Sequence, residues 1–404
     1  MMKTLKRLHR IIAVLLAFSL LYTCFFVVSA QPVTISQSGQ QDSVSDMGVR
    51  EGSLNLPCKS AVLMEATTGT VIYTQNEHEA LPPASVTKIM TLLLVMEALE
   101  AGVVRMDSVV TVSANAASMG GSQVYLKEGE QMSLEDLLKS VVIASANDAA
   151  VALAEYIAGS VPSFVEKMNR RAEELGMSDT KFENVTGLDD TAENHLTSAK
   201  DIALMSKALI AHPDILQYSS IWMDTIRNGA FGLTNTNRLV RFYPGCTGLK
   251  TGSTSKAGFC VSVTAERDGF SLICVIMGAE SRDSRNAIAT ELLDWGFANY
   301  GLYRAEEKDM GTICVQGGKE EVCPISCKAF VCVLPKNDIG KTESKTVLPE
   351  SFSAPIFKGD VLGSVEYYCG NQKIGSVPII ANADVSKIGF FDVFIRVLTG
   401  FLLI

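Results

Sequence analysis

A serine and a lysine stand three residues apart at the start of a strongly apolar stretch. Ser85 and Lys88 follow two prolines and precede the helix-favouring run Ile89–Ala98. Gly102 follows this run and marks the expected helix end. Prolines preset the backbone for a first helical turn and glycine commonly follows a last one, so the pattern predicts a helix here. Residues i and i+3 share a helix face, which would place the Ser85 hydroxyl beside the Lys88 amine. A hydroxyl next to an amine is a nucleophile beside a candidate base.

Two further motifs separate this pair from a chance match. Ser-x-x-Lys alone is weak evidence, because Ser178–Lys181 and Ser253–Lys256 also fit it. Downstream of Ser85 come Ser145-Ala146-Asn147 and then Lys250-Thr251-Gly252, the latter occurring once in the chain. The three motifs in this order are typical of penicillin-binding proteins and serine β-lactamases.

Helix signals surround the second motif. A capping-box-like start at Ser133 predicts a helix through about Ile143, and a second helix is expected over 148–157. Ser145 and Asn147 would then lie between two buried helices, which can hold their side chains still. A similar tripeptide, Ser113-Ala114-Asn115, lacks that setting and is discounted.

Hairpin signals at both ends of a helical block predict the fold class. Hairpins are expected around Ala66–Gly69 and Arg267–Gly269, and helices from Ser163 (with Glu166 as a capping partner) to Gly176, over 197–211 and over 284–300. We therefore expect an α/β (α+β) domain, an antiparallel sheet with helices on both faces. After about residue 303 short apolar runs broken by Gly and Pro predict a small all-β domain.

The N-terminus indicates the cellular compartment, and the net charge excludes one class of partner. A net charge of −9 with 20% charged residues leaves no basic face for nucleic acid. Basic residues before the apolar run Ile11–Val28, with small residues at Ser29 and Ala30, predict a signal peptide over 1–30 and an exported protein. An uncleaved membrane anchor is the alternative. A lipoprotein at Cys24 is disfavoured by the bulky Tyr22.

The cysteines do not predict a disulfide framework. Ten are present, and nine, an odd number, remain after removal of the signal peptide. Cys260, Cys274 and Cys332 lie in apolar strand-like runs, so we expect mostly free thiols. No pair has the Cys-x-x-Cys spacing or the neighbouring histidines of a zinc site, and we expect neither metal nor other cofactor.

The chain is thus divided into five segments. We expect the signal peptide (1–30), a polar linker (31–56), a catalytic domain (57–303), a β-rich domain (304–381) and an amphipathic C-terminal helix (385–404).

From about Leu56 onward the chain resembles the low-molecular-weight penicillin-binding proteins, the D-alanyl-D-alanine carboxypeptidases of the penicillin-binding-protein-5 type. Besides the three motifs, the resemblance rests on Phe182-x-Asn184-x-x-Gly187-Leu188, on His195-Leu196-Thr197-Ser198-Ala199-x-Asp201 and on Arg285 upstream of Trp295-Gly296. It implies a transpeptidase-like domain, a second β-rich domain, a membrane-binding helix and cell-wall peptides ending in D-Ala-D-Ala as substrates, with β-lactams as covalent inhibitors. Cys246-Thr247-Gly248 and Ser253 depart from the usual family pattern.

The reaction assigns a role to each candidate residue. Ser85 would attack the penultimate D-Ala carbonyl, and Lys88 must be neutral to take its proton, which burial and a nearby cation, Lys250, would favour. Ser145 can pass a proton to the leaving amine and Asn147 can bind the substrate amide. By resemblance, the backbone N–H groups of Ser85 and Ser253 hold the oxyanion and Arg285 joins Lys250, Thr251 and the adjoining Gly252 in binding the terminal carboxylate.

Several alternatives stay open at this point. A serine β-lactamase would need a deacylating glutamate, for which Glu193 is the candidate, and a non-catalytic wall-binding protein would not need intact motifs. Outside the motifs, Arg285 could be a surface arginine, Asp148 a helix cap and His195 a structural histidine.

The C-terminal segment is amphipathic. Asp392, Arg396 and Thr399 fall on one helix stripe, and aromatic and aliphatic residues cover the rest. We expect this helix to lie in the membrane plane at the outer face of the cytoplasmic membrane. Packing on the β-rich domain and a dimer contact are the alternatives.

Overall fold

The structure is a computed structural model that describes residues 54–189 and 192–402, without the side chains of 396 and 400–402. The predicted signal peptide and most of the predicted linker lie outside these residues. In chain order the strands are β1 (Ser60–Glu65), β2 (Val71–Gln75), β3 (Val109–Thr111), β4 (Gln131–Ser133), β5 (Met223–Ile226), β6 (Phe231–Thr234), β7 (Cys246–Thr254), β8 (Gly258–Arg267), β9 (Phe270–Ala279), β10 (Tyr300–Ala305), β11 (Lys308–Gln316), β12 (Val322–Cys327), β13 (Phe330–Pro335), β14 (Thr342–Val347), β15 (Ser351–Ser353), β16 (Val361–Cys369) and β17 (Gln372–Ala381). The helices are α1 (Lys88–Glu100), α2 (Ala114–Ala117), α3 (Leu134–Ala144), α4 (Asn147–Ala158), α5 (Val161–Glu174), α6 (Ala199–Ile210), α7 (Asp214–Ser219), α8 (Leu239–Phe242), α9 (Arg282–Asn299), α10 (Lys336–Ile339) and α11 (Phe390–Leu402), and a 3-10 turn, Ala84–Thr87, precedes α1.

A five-stranded antiparallel sheet in the order β2-β1-β9-β8-β7 separates two hydrophobic cores. Side chains alternate across a strand, so Val62 and Met64 of β1 face the large core formed with most of the helices. Ala61 and Leu63 face the second core, to which α9 contributes. The predicted antiparallel sheet with helices on both faces is confirmed.

Of the two helix caps predicted from the sequence, one is confirmed and one is wrong. Ser133 Oγ accepts a hydrogen bond from Asp136 N at the start of α3, as predicted. The helix predicted to start at Ser163 is α5. That start is wrong, because Ser160 is the N-cap and its Oγ accepts a hydrogen bond from Ser163 N. Ser163 and Glu166 have the spacing of a capping box, but Pro162 already occupies the first helical turn.

The β-rich domain has its own core. Its main sheet runs β14-β16-β17-β12-β11-β15, antiparallel except for the β11–β15 pair, and β10 pairs with β13 beside it. Tyr300 and Leu302 of β10 pack on the second core of the catalytic domain, whereas Tyr303 and Ala305 pack on the β-rich core. The connecting strand therefore contributes to both domains.

The C-terminal helix starts later than expected. The prediction placed its beginning at about Val385, but Val385 is buried and pairs with Ile356 of the β-rich domain, and α11 begins at Phe390. Its apolar residues from Phe390 to Leu398 are exposed, including Phe390 at 68% and Phe391 at 76%. Among the described residues, no helix is long and apolar enough to cross a membrane.

All nine cysteines of the described residues are free thiols, as expected, and most are wholly or partly buried. Burial raises the pKa of the Cys58 and Cys246 thiols to about 11. These cysteines therefore act as small apolar side chains rather than as nucleophiles.

The turn before α1 is held by a close approach of another segment. Ala84 has a left-handed backbone with φ of 49°, unusual for a residue with a side chain. Gly187, with φ of 83°, packs so tightly that a Cβ there would lie 1.8 Å from Ala84 O. Only glycine permits this approach, and the segment around Gly187 thereby supports the turn that presents Ser85.

We expect Gly187→Ala to lower the free energy of unfolding more than Gly176→Ala. Both glycines have a left-handed backbone, but a Cβ at Gly176 would meet nothing within 4 Å. Gly176→Ala should cost about 1–2 kcal/mol of backbone strain, and Gly187→Ala should add about 1–3 kcal/mol for the collision. Denaturant unfolding of both variants tests this, and equal losses would contradict the close-contact role of Gly187.

Candidate active site

Ser85 lies in the 3-10 turn and Lys88 is the first residue of α1, so the predicted i, i+3 pair is formed. Lys88 Nζ lies 2.9 Å from Ser85 Oγ and donates a hydrogen bond to Thr186 O at 2.8 Å. Lys88 is fully buried, whereas Ser85 is half-exposed. The amine is thus fixed beside a hydroxyl that a substrate can reach.

The surroundings of Lys88 favour a neutral amine. Burial is the main cause that holds the pKa of Lys88 well below its ordinary value, and the positive charge of Lys250 lowers it further. Asp148 opposes the shift. Desolvation penalises the charged form of a lysine, and a like charge nearby does the same. A neutral Lys88 has a lone pair that can accept the Ser85 proton.

Ser145 and Lys250 form a second pair, which the sequence analysis did not predict. Ser145 ends α3 in a left-handed conformation, with φ of 62°, and Lys250 Nζ donates to its hydroxyl oxygen at 2.8 Å. Lys250 also donates to Thr251 O, and Thr251 Oγ1 donates to Thr236 Oγ1 at 2.8 Å. Burial and the charge of Arg285 lower the pKa of Lys250 to about 7.

Asn147 presents an unpaired acceptor. Its amide Nδ2 donates to Gly120 O at 2.7 Å, which fixes the orientation of the side chain. Its Oδ1 is buried and has no hydrogen-bond partner among the described residues. Because an unpaired buried acceptor costs free energy, this atom is suited to receive an N–H group from a ligand.

Asp148, which the sequence allowed as a mere helix cap, supports the loop next to Asn147. Its carboxylate accepts hydrogen bonds from the backbone N–H groups of Val124 and Leu126 at 3.0–3.2 Å, and also from Ala149 N. Asp148 therefore organises one wall of the site and touches neither Ser85 nor Lys88.

The Lys-Thr-Gly strand lies directly against the nucleophile turn. It is β7, the edge strand of the sheet, and a Cβ at Gly252 would lie 2.8 Å from Ser85 N. Alternate N–H groups of an edge strand have no partner within the sheet. Ser253, next along the strand, is exposed at the same place.

Arg285 is buried at 3% exposure, so the alternative of a surface arginine is wrong. Its guanidinium donates to Asn286 Oδ1 and Cys260 O, and none of its hydrogen-bond partners in the described chain is a carboxylate. Burial and the nearby Arg282 lower its pKa to about 10. A buried guanidinium without an anion is suited to a negatively charged ligand.

The remaining candidates lie apart from this cluster. Ser113 and Asn115 bond to Glu155, and Lys256 Nζ donates to Asp189 O. Glu193, the possible deacylating glutamate, is exposed.

Sequence reasoning missed the main-chain oxygen of Thr186. The available signal was Asn184 with a glycine three residues later, since Asn184 Oδ1 accepts from Thr186 N and Gly187 N and so shapes the turn. His195 is buried and contacts Thr87 rather than Ser85 or Lys88, in agreement with a structural role.

The site thus brings together a hydroxyl nucleophile, a buried amine whose charged form is disfavoured, a second lysine linked to a serine, and a buried guanidinium. These are the functional groups of a serine enzyme that transfers acyl groups and uses lysine as its base.

Comparison with known proteins agrees with this class. The family model described as D-alanyl-D-alanine carboxypeptidase matches residues 47–281, and the model described as penicillin-binding protein 5, C-terminal domain, matches residues 299–387. The D-alanyl-D-alanine carboxypeptidase DacF of Bacillus subtilis is 40% identical over 351 residues, which cover 85% of this chain and 90% of DacF. The chain belongs to the D-alanyl-D-alanine carboxypeptidase family of penicillin-binding proteins.

Solved structures show the same similarity. Penicillin-binding protein 5 from Haemophilus influenzae superimposes with a TM-score of 0.75 at 30% identity, covering 83% of this chain and 99% of that one. Penicillin-binding protein D2 from Listeria monocytogenes, in its ampicillin-bound form, has a TM-score of 0.56 at 32% identity and covers 61% of this chain and 100% of that one.

The pKa of Lys250 predicts how acylation depends on pH. Because this pKa is about 7, the ammonium form is present below that pH and is lost above it. We expect the second-order rate constant for acylation by penicillin to fall as pH rises through this range, since it reports the free enzyme. Arg285→Ala removes a neighbouring positive charge, so the fall should move to higher pH.

Arg282→Ala is the matched control, because Arg282 lies exposed in the same first turn of α9. Labelling with a fluorescent penicillin after a pH jump gives the acylation rate constant at each pH. The inflection is the pH at which this rate constant has fallen by half. An unchanged inflection in Arg285→Ala, or the same shift in both variants, would contradict the electrostatic link between Arg285 and Lys250.

Proposed function

We propose that this protein removes the terminal D-alanine from peptidoglycan stem peptides that end in D-Ala-D-Ala, through an acyl-enzyme on Ser85. The observation that carries the proposal is the fully buried Lys88 amine, 2.9 Å from the Ser85 hydroxyl. Family membership supports the reaction class, and the intact motifs disfavour a non-catalytic wall-binding protein. The exposed Glu193 gives no support to a β-lactamase.

In the first step Ser85 Oγ attacks the carbonyl carbon of the penultimate D-alanine. The hydroxyl proton passes to the Lys88 lone pair, and the carbonyl oxygen becomes negatively charged. By resemblance, the N–H groups of Ser85 and Ser253 bind this oxyanion, and the contact of Gly252 with the Ser85 turn brings the two residues close. One such donor contributes roughly 3 kcal/mol to the transition state.

In the second step the amide bond breaks and the D-alanine leaves as an amine. Its nitrogen needs a proton, which Ser145 can deliver from its hydroxyl and recover from Lys250, 2.8 Å away. A water molecule then attacks the ester and gives a proton through Ser145 to Lys250, which restores the Lys250 ammonium. The ester bond breaks, Ser85 Oγ takes back its proton from Lys88, and the stem peptide leaves as a carboxylic acid that ionises in water.

Four side chains recognise the substrate. Asn147 Oδ1, buried and unpaired among the described residues, accepts an N–H group of the peptide. The terminal carboxylate binds where Lys250, Thr251 and the buried Arg285 converge, and a charge-assisted hydrogen bond there contributes about 1.5–3 kcal/mol. β-Lactams carry a strained amide and a carboxylate, which explains how the same site can be acylated by penicillins.

We expect Ser85→Ala to abolish both covalent labelling by fluorescent penicillin and release of D-alanine from a D-Ala-D-Ala peptide. Lys88→Ala should still bind ligand but acylate about 10²–10⁴-fold more slowly, because it loses only the general base. An amidated peptide, which lacks the terminal carboxylate, should be a poor substrate for the wild type. Labelling that persists in Ser85→Ala at Ser178 or Ser253 would overturn the assignment.

We also propose that the enzyme is exported and that α11 lies on the outer surface of the cytoplasmic membrane. Its exposed apolar residues, from Phe390 to Leu398, would enter the interface, while Asp392 lies 3.2 Å from Lys319 of the β-rich domain. That ion pair keeps the first turn of the helix near the folded domain. Insertion of apolar side chains, rather than charge, would dominate binding.

Truncation after Gly389 tests the anchor, because it leaves the buried Val385 in place. In a protein without the signal peptide, we expect the truncation to abolish liposome flotation and to retain turnover of soluble peptide. High salt should not release the full-length protein from liposomes. Unfolding or inactivity of the truncated protein would instead favour a helix that packs on protein.

A further inference from the structure

His195 is a buried titratable group that the proposed mechanism does not use. Its Nε2 lies 2.7 Å from Thr87 Oγ1, and its Nδ1 accepts a hydrogen bond from Glu183 N at 3.0 Å. Thr87 Oγ1 in turn donates to Ala84 O at 2.8 Å. The imidazole is therefore connected through one hydroxyl to the backbone directly before Ser85.

The partners determine which nitrogen of His195 carries the proton. A carbonyl oxygen can only accept, so the Thr87 proton is committed to Ala84 O and the Thr87 oxygen must accept from His195 Nε2–H. The N–H of Glu183 can only donate, so Nδ1 is unprotonated. The histidine is thus neutral with its proton on Nε2, and burial, which lowers its pKa to about 4, favours the same state.

The hydrogen bonds from His195 to Thr87 and from Thr87 to Ala84 O form a relay. The relay ends on the peptide group that joins Ala84 to Ser85. A peptide unit is planar and its C=O and N–H point in opposite directions, so fixing Ala84 O also fixes the direction of Ser85 N–H. The Ala84 backbone is left-handed, with φ of 49°, and such a conformation persists only where its surroundings over-determine it. Gly187 packs against the same carbonyl.

We propose that His195 is a positioning residue for acyl transfer. Through Thr87 it holds the Ala84–Ser85 peptide so that Ser85 N–H points to the developing oxyanion and Ser85 Oγ stays beside Lys88. A chain of hydrogen bonds that ends on Ala84 O also polarises that peptide and strengthens its N–H as a donor. The inference rests on the proposed role of Ser85 as nucleophile.

Two amide substitutions separate the two contacts of His195. In His195→Gln the side-chain nitrogen can take the place of Nε2 and donate to Thr87, whereas in His195→Asn the shorter side chain can bond Glu183 N but not Thr87. Thr87→Ser keeps the hydroxyl and Thr87→Val removes it in a similar volume. Stopped-flow labelling with fluorescent penicillin, analysed as a binding constant followed by an acylation rate constant, is the measurement.

We expect His195→Asn and Thr87→Val to lower the acylation rate constant about 10- to 100-fold, the loss typical of a small misplacement, with little change in the binding constant. His195→Gln and Thr87→Ser should remain near the wild type. Equal losses in the two His195 variants, a change in the binding constant alone, or no loss in either pair would overturn the proposal. If His195→Asn fails to fold, as judged by thermal unfolding, the Thr87 pair decides.

This outcome is distinguishable from failure of the proposed function. Wild-type labelling is first mapped to Ser85 by its loss in Ser85→Ala. Labelling at another residue would refute the nucleophile, whereas labelling at Ser85 with equal rates in all four variants would refute only the relay.

Discussion

Two lysine amines, Lys88 and Lys250, are both buried in one small site, and neither is hydrogen-bonded to a carboxylate within the described chain. Burial disfavours the charged form of each, and a charge on one disfavours a charge on the other. Burial and the charge of Lys250 lower the pKa of Lys88, and burial and the charge of Arg285, a third positive group nearby, lower the pKa of Lys250. The site therefore disfavours a charge on Lys88 and holds positive groups whose charge an anionic substrate can offset.

Close contacts between segments, together with side-chain hydrogen bonds from Thr87 and to Asn184, arrange the backbone around these amines. Gly187 approaches Ala84 O and Gly252 approaches Ser85 N, so the nucleophile turn is enclosed from two sides by other segments. The segment with Gly187 also supplies Thr186 O, the oxygen to which Lys88 donates. One segment of the chain thus supports the nucleophile turn and fixes the position of the base.

Sequence analysis could predict much of this because the signals are local. Ser85 and Lys88 share a turn, Ser145 follows a capped helix, and the hairpin signals at 66–69 and 267–269 indicate an antiparallel sheet. The sequence could not place Arg285, since its burial depends on contacts with Cys260 of β8, nor could it show that Thr186 contributes through its main chain. The incorrect predictions of the cap at Ser163 and of the start of α11 have the same origin. Each relied on a local sequence pattern, which was overridden by Pro162 in the first turn of α5 and by the pairing of Val385 with Ile356.

The central claim is that Lys88 is neutral near pH 7 because it is buried and lies near Lys250. The most direct test is an NMR titration of enzyme labelled with ¹³C at the lysine ε-carbons, with the Lys88 signal assigned by its loss in Lys88→Arg. We predict that Lys88 titrates well below its ordinary pKa of 10.5 and that Lys250→Ala raises its pKa. A Lys88 signal that stays in the ammonium form to near pH 10 and does not respond to Lys250→Ala would contradict the account.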